Sequence, residues 1–334
     1  MKHRICVAGN IVVDRLYPVR GYPARGQLTQ ILDGISLSTG GAVPNTGIDL
    51  ASLLPEAKVS ALGFVGRDAD GDFAVERMTA RGLDCAMVRR SGRRTAFTDV
   101  MSDVVTRERT FFTHAGANAD LVPESIPFDE IDADLFHIGY ILLLDGLDAP
   151  DGEYGTKMAR VLAEARRRGV RTSIDVVTET GDRFARLVPP ALRYTDYCVI
   201  NELEAAASTG IALRGPDGAL RTERIPAALT ALRALGVAEW AVIHAPEGGW
   251  GMDRAGRCAA VPSLRLPDGF IAGTVGAGDA FCAGVLAAAE EEMTLPEALR
   301  LGAAAAAMSL SQPGATEGVG TVADAQALIE KYGF

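Results

Sequence analysis

The run Thr274-Val275-Gly276-Ala277-Gly278-Asp279-Ala280-Phe281 is the part of the chain best equipped for chemistry. Glycines let the main chain turn so that successive N–H groups point one way. A helix starting there adds its positive end, and the turn becomes a cradle for phosphate. Asp279 does not suit a plain cradle, because a carboxylate repels phosphate. An acid in that place is suited to taking a proton from whatever attacks the phosphate. Two other phosphate motifs do not fit. A P-loop needs lysine and then Ser or Thr after the glycines, where this chain has Asp279 and Ala280. A dinucleotide fingerprint needs a third glycine where Phe281 stands, and it belongs near the start of a βαβ unit. Taken alone, the run is better read as a tight turn with an N-cap aspartate.

Three further groups have residue types that bind or catalyse. Gly40-Gly41-Ala42-Val43-Pro44-Asn45 would expose backbone N–H groups at a helix start, with the Asn45 amide able to hold a hydroxyl-rich ligand. It serves equally as a turn and a helix start. Asp14 follows Gly9-Asn10 at the expected end of the first strand, and open parallel sheets bind ligands outside the carboxyl ends of their strands. A turn cap is the even alternative. Asn201 and Glu204, at i and i+3 after a strand, share one face of a helix start. A carboxylate and an amide oxygen suit Mg²⁺, and Asn is also a good N-cap; both readings hold together. His3, His114, His137 and His244 have no metal-ligand spacing, and no GxSxG anchors a Ser-His-Asp triad.

Short apolar runs at residues 4–8, 59–65, 135–138, 171–175, 197–200 and 240–244 predict strands, and residues 45–54, 70–81, 155–168, 202–209 and 225–235 predict amphipathic helices. The Arg run before Gly169 suits a helix end. Such alternation predicts an α/β fold with a mostly parallel sheet covered on both faces. Two stretches break the rhythm. Residues 15–38 and 93–113 alternate polar and apolar, with Ser102-Asp103 as a turn in the second, and predict antiparallel strands of a small inserted sheet.

The chain has 334 residues, 48% of them hydrophobic and 23% charged, enough for a large core in one domain or two. A net charge of −10 argues against nucleic acid as a partner. Cys6, Cys85, Cys198, Cys258 and Cys282 are scattered with no CxxC pair, which predicts free thiols and a cytoplasmic protein. No stretch is long enough to span a membrane, and the first apolar stretch, broken by Gly9, Asn10 and Asp14, is too short for a signal peptide.

Taken together these residues resemble the ribokinase-like (PfkB-type) carbohydrate kinase family. The matches run in the family's order: Gly9 to Asp14, Gly40-Gly41 to Asn45, Gly66-x-Asp68-x-x-Gly71, Asn201-x-x-Glu204, Gly276-Ala277-Gly278-Asp279 and Gln312-Pro313-Gly314-Ala315. The resemblance implies a Rossmann-like core over residues 1–14, 39–92 and 115–334 and a β lid over residues 15–38 and 93–114. It implies that Asp279 is the base that deprotonates a sugar hydroxyl, and that Gly276, Ala277 and Gly278 form the anion hole. Asp14, Gly40, Gly41 and Asn45, with Arg109 and Asn118 in the return from the lid, match substrate-binding positions. Asn201, Gly249, Thr274 and Gly278 match nucleotide-binding positions, and Asn201 with Glu204 organises Mg²⁺ through water. A homodimer through the lid is common in the family.

Two positions depart from the pattern. Gly273 stands where many relatives have an aspartate that holds a monovalent cation behind the anion hole, which puts that cation in doubt. Pro246 replaces a phosphate-contacting glycine, although Gly249 remains. The expected activity is transfer of the γ-phosphoryl group of ATP to a small sugar. The rivals are a nucleoside kinase of the same fold, with Tyr17, Tyr22, Phe97, Phe111 and Phe112 available for stacking, and a weakly catalytic sugar-binding regulator. A phosphorylated substrate would want a cation such as Arg15, Arg20, Arg25, Arg107 or Arg109.

Overall fold

The first strand, β1 (Arg4–Gly9), is buried from Ile5 to Gly9, as an apolar run covered on both faces must be. The computed structural model describes residues 3–106, 108–179 and 181–334. After β1 come β2 (Val12–Val19), β3 (Ser36–Gly40), helix α1 (Ala42–Leu53), β4 (Lys58–Val65), α2 (Ala69–Ala80) and β5 (Asp84–Arg90). The chain continues through β6 (Ala96–Asp103), β7 (Arg109–His114), β8 (Leu135–Ile141), the short α3 (Asp145–Asp148), and the small pair β9 (Pro150–Asp151) and β10 (Gly155–Thr156). Next are α4 (Lys157–Arg167), β11 (Arg171–Val176), α5 (Phe184–Leu192), β12 (Tyr197–Asn201), α6 (Glu202–Thr209) and α7 (Ile225–Leu235). The last elements are β13 (Trp240–Ala245), β14 (Gly248–Asp253), β15 (Cys258–Pro262), α8 (Ala277–Glu290), α9 (Leu295–Ser309) and α10 (Val322–Tyr332).

The main sheet has nine strands in the order β15-β14-β13-β12-β11-β8-β1-β4-β5. Strands from β13 through β5 pair in parallel, and β14 and β15 close one edge as an antiparallel hairpin. Helices cover both faces: α1, α8, α9 and α10 bury their apolar sides in one core layer, and α4, α5, α6 and α7 in the other. Helix α4 is a local example. Thr156 caps it by accepting the Ala159 N–H at 3.1 Å, and Met158, Val161, Leu162 and Ala165 form its buried stripe.

A separate four-stranded sheet, β3-β2-β6-β7, forms the lid. Its central pair, β2 with β6, is parallel, whereas the alternation predicted antiparallel strands throughout. Within residues 29–37 regular pairing starts only at Ser36, preceded by an isolated bridge from Val19 to Ile31. Strand β6 runs on through Asp103, past the expected Ser102-Asp103 turn. Gly9 makes the passage from core to lid. Its φ is 136°, and a Cβ there would lie 1.6 Å from the Gly139 carbonyl oxygen. Only glycine fits so close to β8 in that conformation. The bend at Gly9 places Asp14 on the lid strand β2 rather than at the end of β1.

Candidate active site

Helix α8 opens at Gly276, with φ 80° and ψ −3°. A Cβ at Gly276 would come within 2.6 Å of the Ala315 carbonyl oxygen, so both conformation and space call for glycine. Among the described residues, the N–H groups of Gly276, Ala277, Gly278 and Asp279 have no acceptor. Open N–H groups at the positive end of a helix attract an anion. His244 lies beneath them, its ring 3.3 Å from where a Gly278 Cβ would be, stacked on Phe281. Burial lowers the His244 imidazole to about 4, so it is neutral at physiological pH.

Asp279, in the first turn of α8, is held from two sides. The Tyr140 hydroxyl donates to Oδ1 at 2.6 Å and the Asn45 amide donates to Oδ2 at 3.0 Å. Burial pushes the Asp279 carboxyl up to about 6, against the pull of the hydrogen bonds from Tyr140 and Asn45 and of the Thr46 hydroxyl. Burial and the charge of Asp279 keep the Tyr140 hydroxyl protonated and hence a donor. Tyr140 is in turn fixed by Asn10, whose Oδ1 accepts its N–H at 2.6 Å. Asn10 also donates its own N–H to Gly139 and its amide to Leu143, and its carbonyl accepts the Val43 N–H at the start of α1.

Asp14 lies beside the other glycine loop. A Cβ on Gly40 would be 2.2 Å from Asp14 Oδ2, so the carboxyl occupies the space that glycine leaves. Burial raises the Asp14 carboxyl to about 6, with the Thr98 hydroxyl opposing. Gly41 is the N-cap of α1, with φ 91°, and Asn45 lies in the first turns of that buried helix.

At the next strand end, Asn201 caps α6. Its Oδ1 accepts the Leu203 and Glu204 N–H groups, and Glu204 Oε2 accepts the Asn201 N–H at 2.9 Å. The Thr178 hydroxyl donates to Glu204 Oε1 at 2.8 Å and accepts from the Asn201 amide. Burial raises Glu204 to about 7, and the charge of Asp279 adds to it. Asp175, at the end of β11, lies within the fields of both and is pushed well above the carboxylate range by burial and their charges.

The structure thus gathers Asp279, Gly276, Ala277, Gly278 and Asn45 at one place, with Glu204 within electrostatic reach. It treats the other predicted residues differently. Asn118 is buried and spends its Oδ1 on the Ile11 N–H at 3.1 Å, fixing backbone at the lid root. Arg109 is exposed and pairs in register with Ser102. It lies four positions before Thr113, the register partner of Thr98 near Asp14, which is ~13 Å of strand. Gly249 is buried in β14, where a Cβ would strike the Phe281 ring at 2.6 Å, so packing dictates glycine there. Thr274 is exposed just before the loop. At Gly273 a Cβ would lie 2.8 Å from Pro313 Cα, so the aspartate of other relatives has no room. Of the lid arginines, Arg15 is bound to Asp70 and stacks over Phe97, Arg20 and Arg25 are exposed, and Arg107 lies outside the described residues.

Tyr140, Thr98, Thr178 and Asp175 were not anticipated. Only Asp175 had a signal, as an acid at the carboxyl end of a predicted strand. A surface hollow of about 660 Å³ lies elsewhere: its lining of Asp132, Ala133 and Val170 places it at the amino ends of β8 and β11. No helix among the described residues is long and apolar enough to cross a membrane.

Proteins similar to this chain include ribokinases and a nucleoside kinase. A ribokinase of Haemophilus influenzae is 23% identical over 326 residues, covering 96% of each chain. The ribokinase of Arabidopsis thaliana, solved with ribose and ATP, superposes with a TM-score of 0.81 at 21% identity, covering 99% of both chains. A nucleoside kinase of Methanocaldococcus jannaschii, an archaeal member of the ribokinase family, gives 0.75 at 16% identity, again covering 99% of both. The parallel core, the β lid and the aspartate at a glycine-rich helix start are the plan of a ribokinase-like phosphotransferase. The sequence profile described as pfkB family carbohydrate kinase matches residues 2–321, and the chain belongs to that family.

Proposed function

We propose that the protein transfers the γ-phosphoryl group of ATP to a hydroxyl of a small sugar, with Asp279 as the general base. One observation carries this reading: a carboxylate raised to about 6 and clamped by Tyr140 and Asn45 stands beside four N–H groups that have no acceptor among the described residues. Above that pH Asp279 is charged and takes the proton of the attacking hydroxyl. A base titrating just below neutrality combines availability with basicity. The N–H groups of Gly276, Ala277 and Gly278 receive the charge that builds on the transferring phosphoryl group, with no reorganisation needed at that moment. Asp14, Gly40, Gly41 and Asn45 would hold the sugar. Asn45 has the capacity, since its Oδ1 is buried and has no partner. Residues 15–38 and 93–114, with Asp14 at their root, would close over it and exclude water. Asn201, Gly249, Thr274 and Gly278 remain the nucleotide side of the proposal.

Mg²⁺ fits the donor set. Asp279 raises the proton affinity of Glu204, and both raise that of buried Asp175, a crowding of negative charge that a cation bound nearby would relieve. Both Glu204 oxygens already accept hydrogen bonds, so Glu204 and Asn201 would hold the ion through its water shell. When bound, the ion neutralises phosphate charge on the nucleotide.

The test is ADP release with ATP and a panel of sugars and nucleosides. Turnover confined to sugars supports the assignment, and turnover confined to nucleosides replaces it. Sugar-dependent thermal stabilisation without ADP release would make the protein a binding regulator.

A further inference from the structure

One titratable group at the start of α8 has no task in the proposed reaction. His244, near the end of β13, stands in register between Asn201 of β12 and Gly249 of β14. Both neighbours belong to the nucleotide side of that proposal. The imidazole stacks on Phe281 with ring centroids 5.0 Å apart. Its Cε1 and Nε2 atoms lie 3.3 and 3.7 Å from where a Gly278 Cβ would be, so its edge follows the first turn of α8 from Phe281 back toward the open N–H groups.

Packing holds the ring in place but leaves its polar atoms unused. Neither nitrogen has a hydrogen-bond partner among the described residues. His137 shows the contrast: its Nδ1 meets the Ser173 hydroxyl at 3.1 Å, and its Nε2 is sealed in the core. The nitrogens of His244 are not sealed and the residue is only partly buried, so a ligand at the helix start can reach them. Phe or Leu would fill the same space without the cost of taking imidazole nitrogens out of water. Burial holds the ring neutral, which leaves one N–H to donate. The main chain is short of a donor at this spot, because Pro246, in the turn after β13, has no N–H.

We propose, resting on the kinase reading of the site, that His244 is a further nucleotide-binding residue. Its ring N–H donates to a phosphate oxygen from the sheet side of the anion hole at Gly276, Ala277 and Gly278. The N–H groups of the helix start point along the axis of α8, whereas the imidazole approaches from the strand. A phosphate held from both directions is fixed in rotation as well as in position, which is what in-line transfer requires. A neutral donor does this without a full positive charge, whose stronger hydrogen bond would hold ADP back after transfer.

The test is ADP binding to the whole protein by calorimetry, with two variants that divide shape from hydrogen bonding. His244→Phe keeps a ring to stack on Phe281 but has no N–H, and its Kd for ADP should rise about tenfold or more. His244→Gln loses the ring and keeps a side-chain N–H, and its Kd should stay within about threefold of the parent. A ring needed only for packing gives the opposite order, Phe harmless and Gln damaging, and that order would overturn the proposal. Should His244→Phe not fold, the parent labelled with ¹³C-histidine decides. The Cε1 signal missing from the Gln variant should shift with ADP and stay still with adenosine. An unmoved signal, or one moved equally by adenosine, would remove the contact. A parent that binds no ADP would end the kinase reading itself, whereas parent-like ADP binding in both variants ends only the role of His244.

Discussion

Gly41 and Gly276 each open a helix with a positive φ, 91° and 80°, and the two helices meet at the hydrogen bond from Asn45 to Asp279. The two starts are used in opposite ways. At α1 the Val43 N–H is taken by the Asn10 carbonyl, Pro44 has no N–H, and residues from Ala42 to Leu50 are buried. At α8 the Gly276 to Asp279 N–H groups are left open and Thr274 and Val275 face solvent. A glycine-rich helix start is therefore a geometry and not yet a function. What gives it chemistry is which N–H groups are left for a ligand. One start is a fixed mount for a side chain, and the other keeps N–H groups open that, in the proposed function, receive charge.

The most severe way to break this contrast is Asp279→Asn. It keeps the shape of the open start and removes the proton acceptor, so kcat should fall by ~10³-fold with nucleotide binding retained. Near-normal turnover, measured by ADP release, would end the assignment of the base. Tyr140→Phe tests the clamp. The Tyr140 hydrogen bond holds the Asp279 carboxyl down, so its loss should move the acid limb of the kcat/KM profile upward from about 6 and lower kcat by ~10-fold. An unmoved limb would mean the hydroxyl does not act on the base.

Substitutions at the glycines separate the mount from the receptor. Gly41→Ala places a Cβ 2.6 Å from the Asn10 carbonyl oxygen at a positive φ. Denaturant unfolding should record a loss of ~1–3 kcal/mol. Gly278→Ala meets only the His244 ring at 3.3 Å, and its stability should stay within ~0.5 kcal/mol of the parent. Equal losses at both positions would erase the distinction. The smallest effect is a pH dependence. A carboxyl raised from 3.8 to about 6 holds its proton better folded than unfolded, so it costs the ligand-free protein stability as pH rises through that window. Asp279→Asn removes the loss, and its Tm advantage over the parent should grow by about 3 °C between pH 4 and pH 7.

Much of the layout was legible because it is local. Apolar runs of strand length and the loop-helix start at Gly276 carry their structure in a few adjacent residues. What could not be read depends on partners far along the chain. Tyr140 reaches Asp279 across 139 positions, and neither residue's neighbours announce the other. Alternation in β2 and β6 predicts half-wet strands but not direction, and their parallel pairing is set by where the chain returns. Asp14 was misplaced because Ile11-Val12-Val13 reads as more of the first strand, while the turn at Gly9 depends on the carbonyl of Gly139. The hairpin of β14 and β15 hid behind glycines at 248, 249 and 251, which look like loop until Phe281 and Leu295 are seen packed over Gly249 and Gly251.

Asn10 is a surveyor's benchmark for the whole site. It lies between β1 and the lid strand β2, and it bonds the start of α1 and the backbone of Gly139, Tyr140 and Leu143. Errors in such a system do not accumulate along the chain, because each part is referred to the same point. A disturbance at the lid root would shift mount and clamp together and preserve their spacing. One at the far edge, where Phe111 and Phe112 face solvent, would leave the benchmark untouched. The outer lid can thus change without moving the site, while Asn10 and Ile11, the two residues between β1 and β2, cannot.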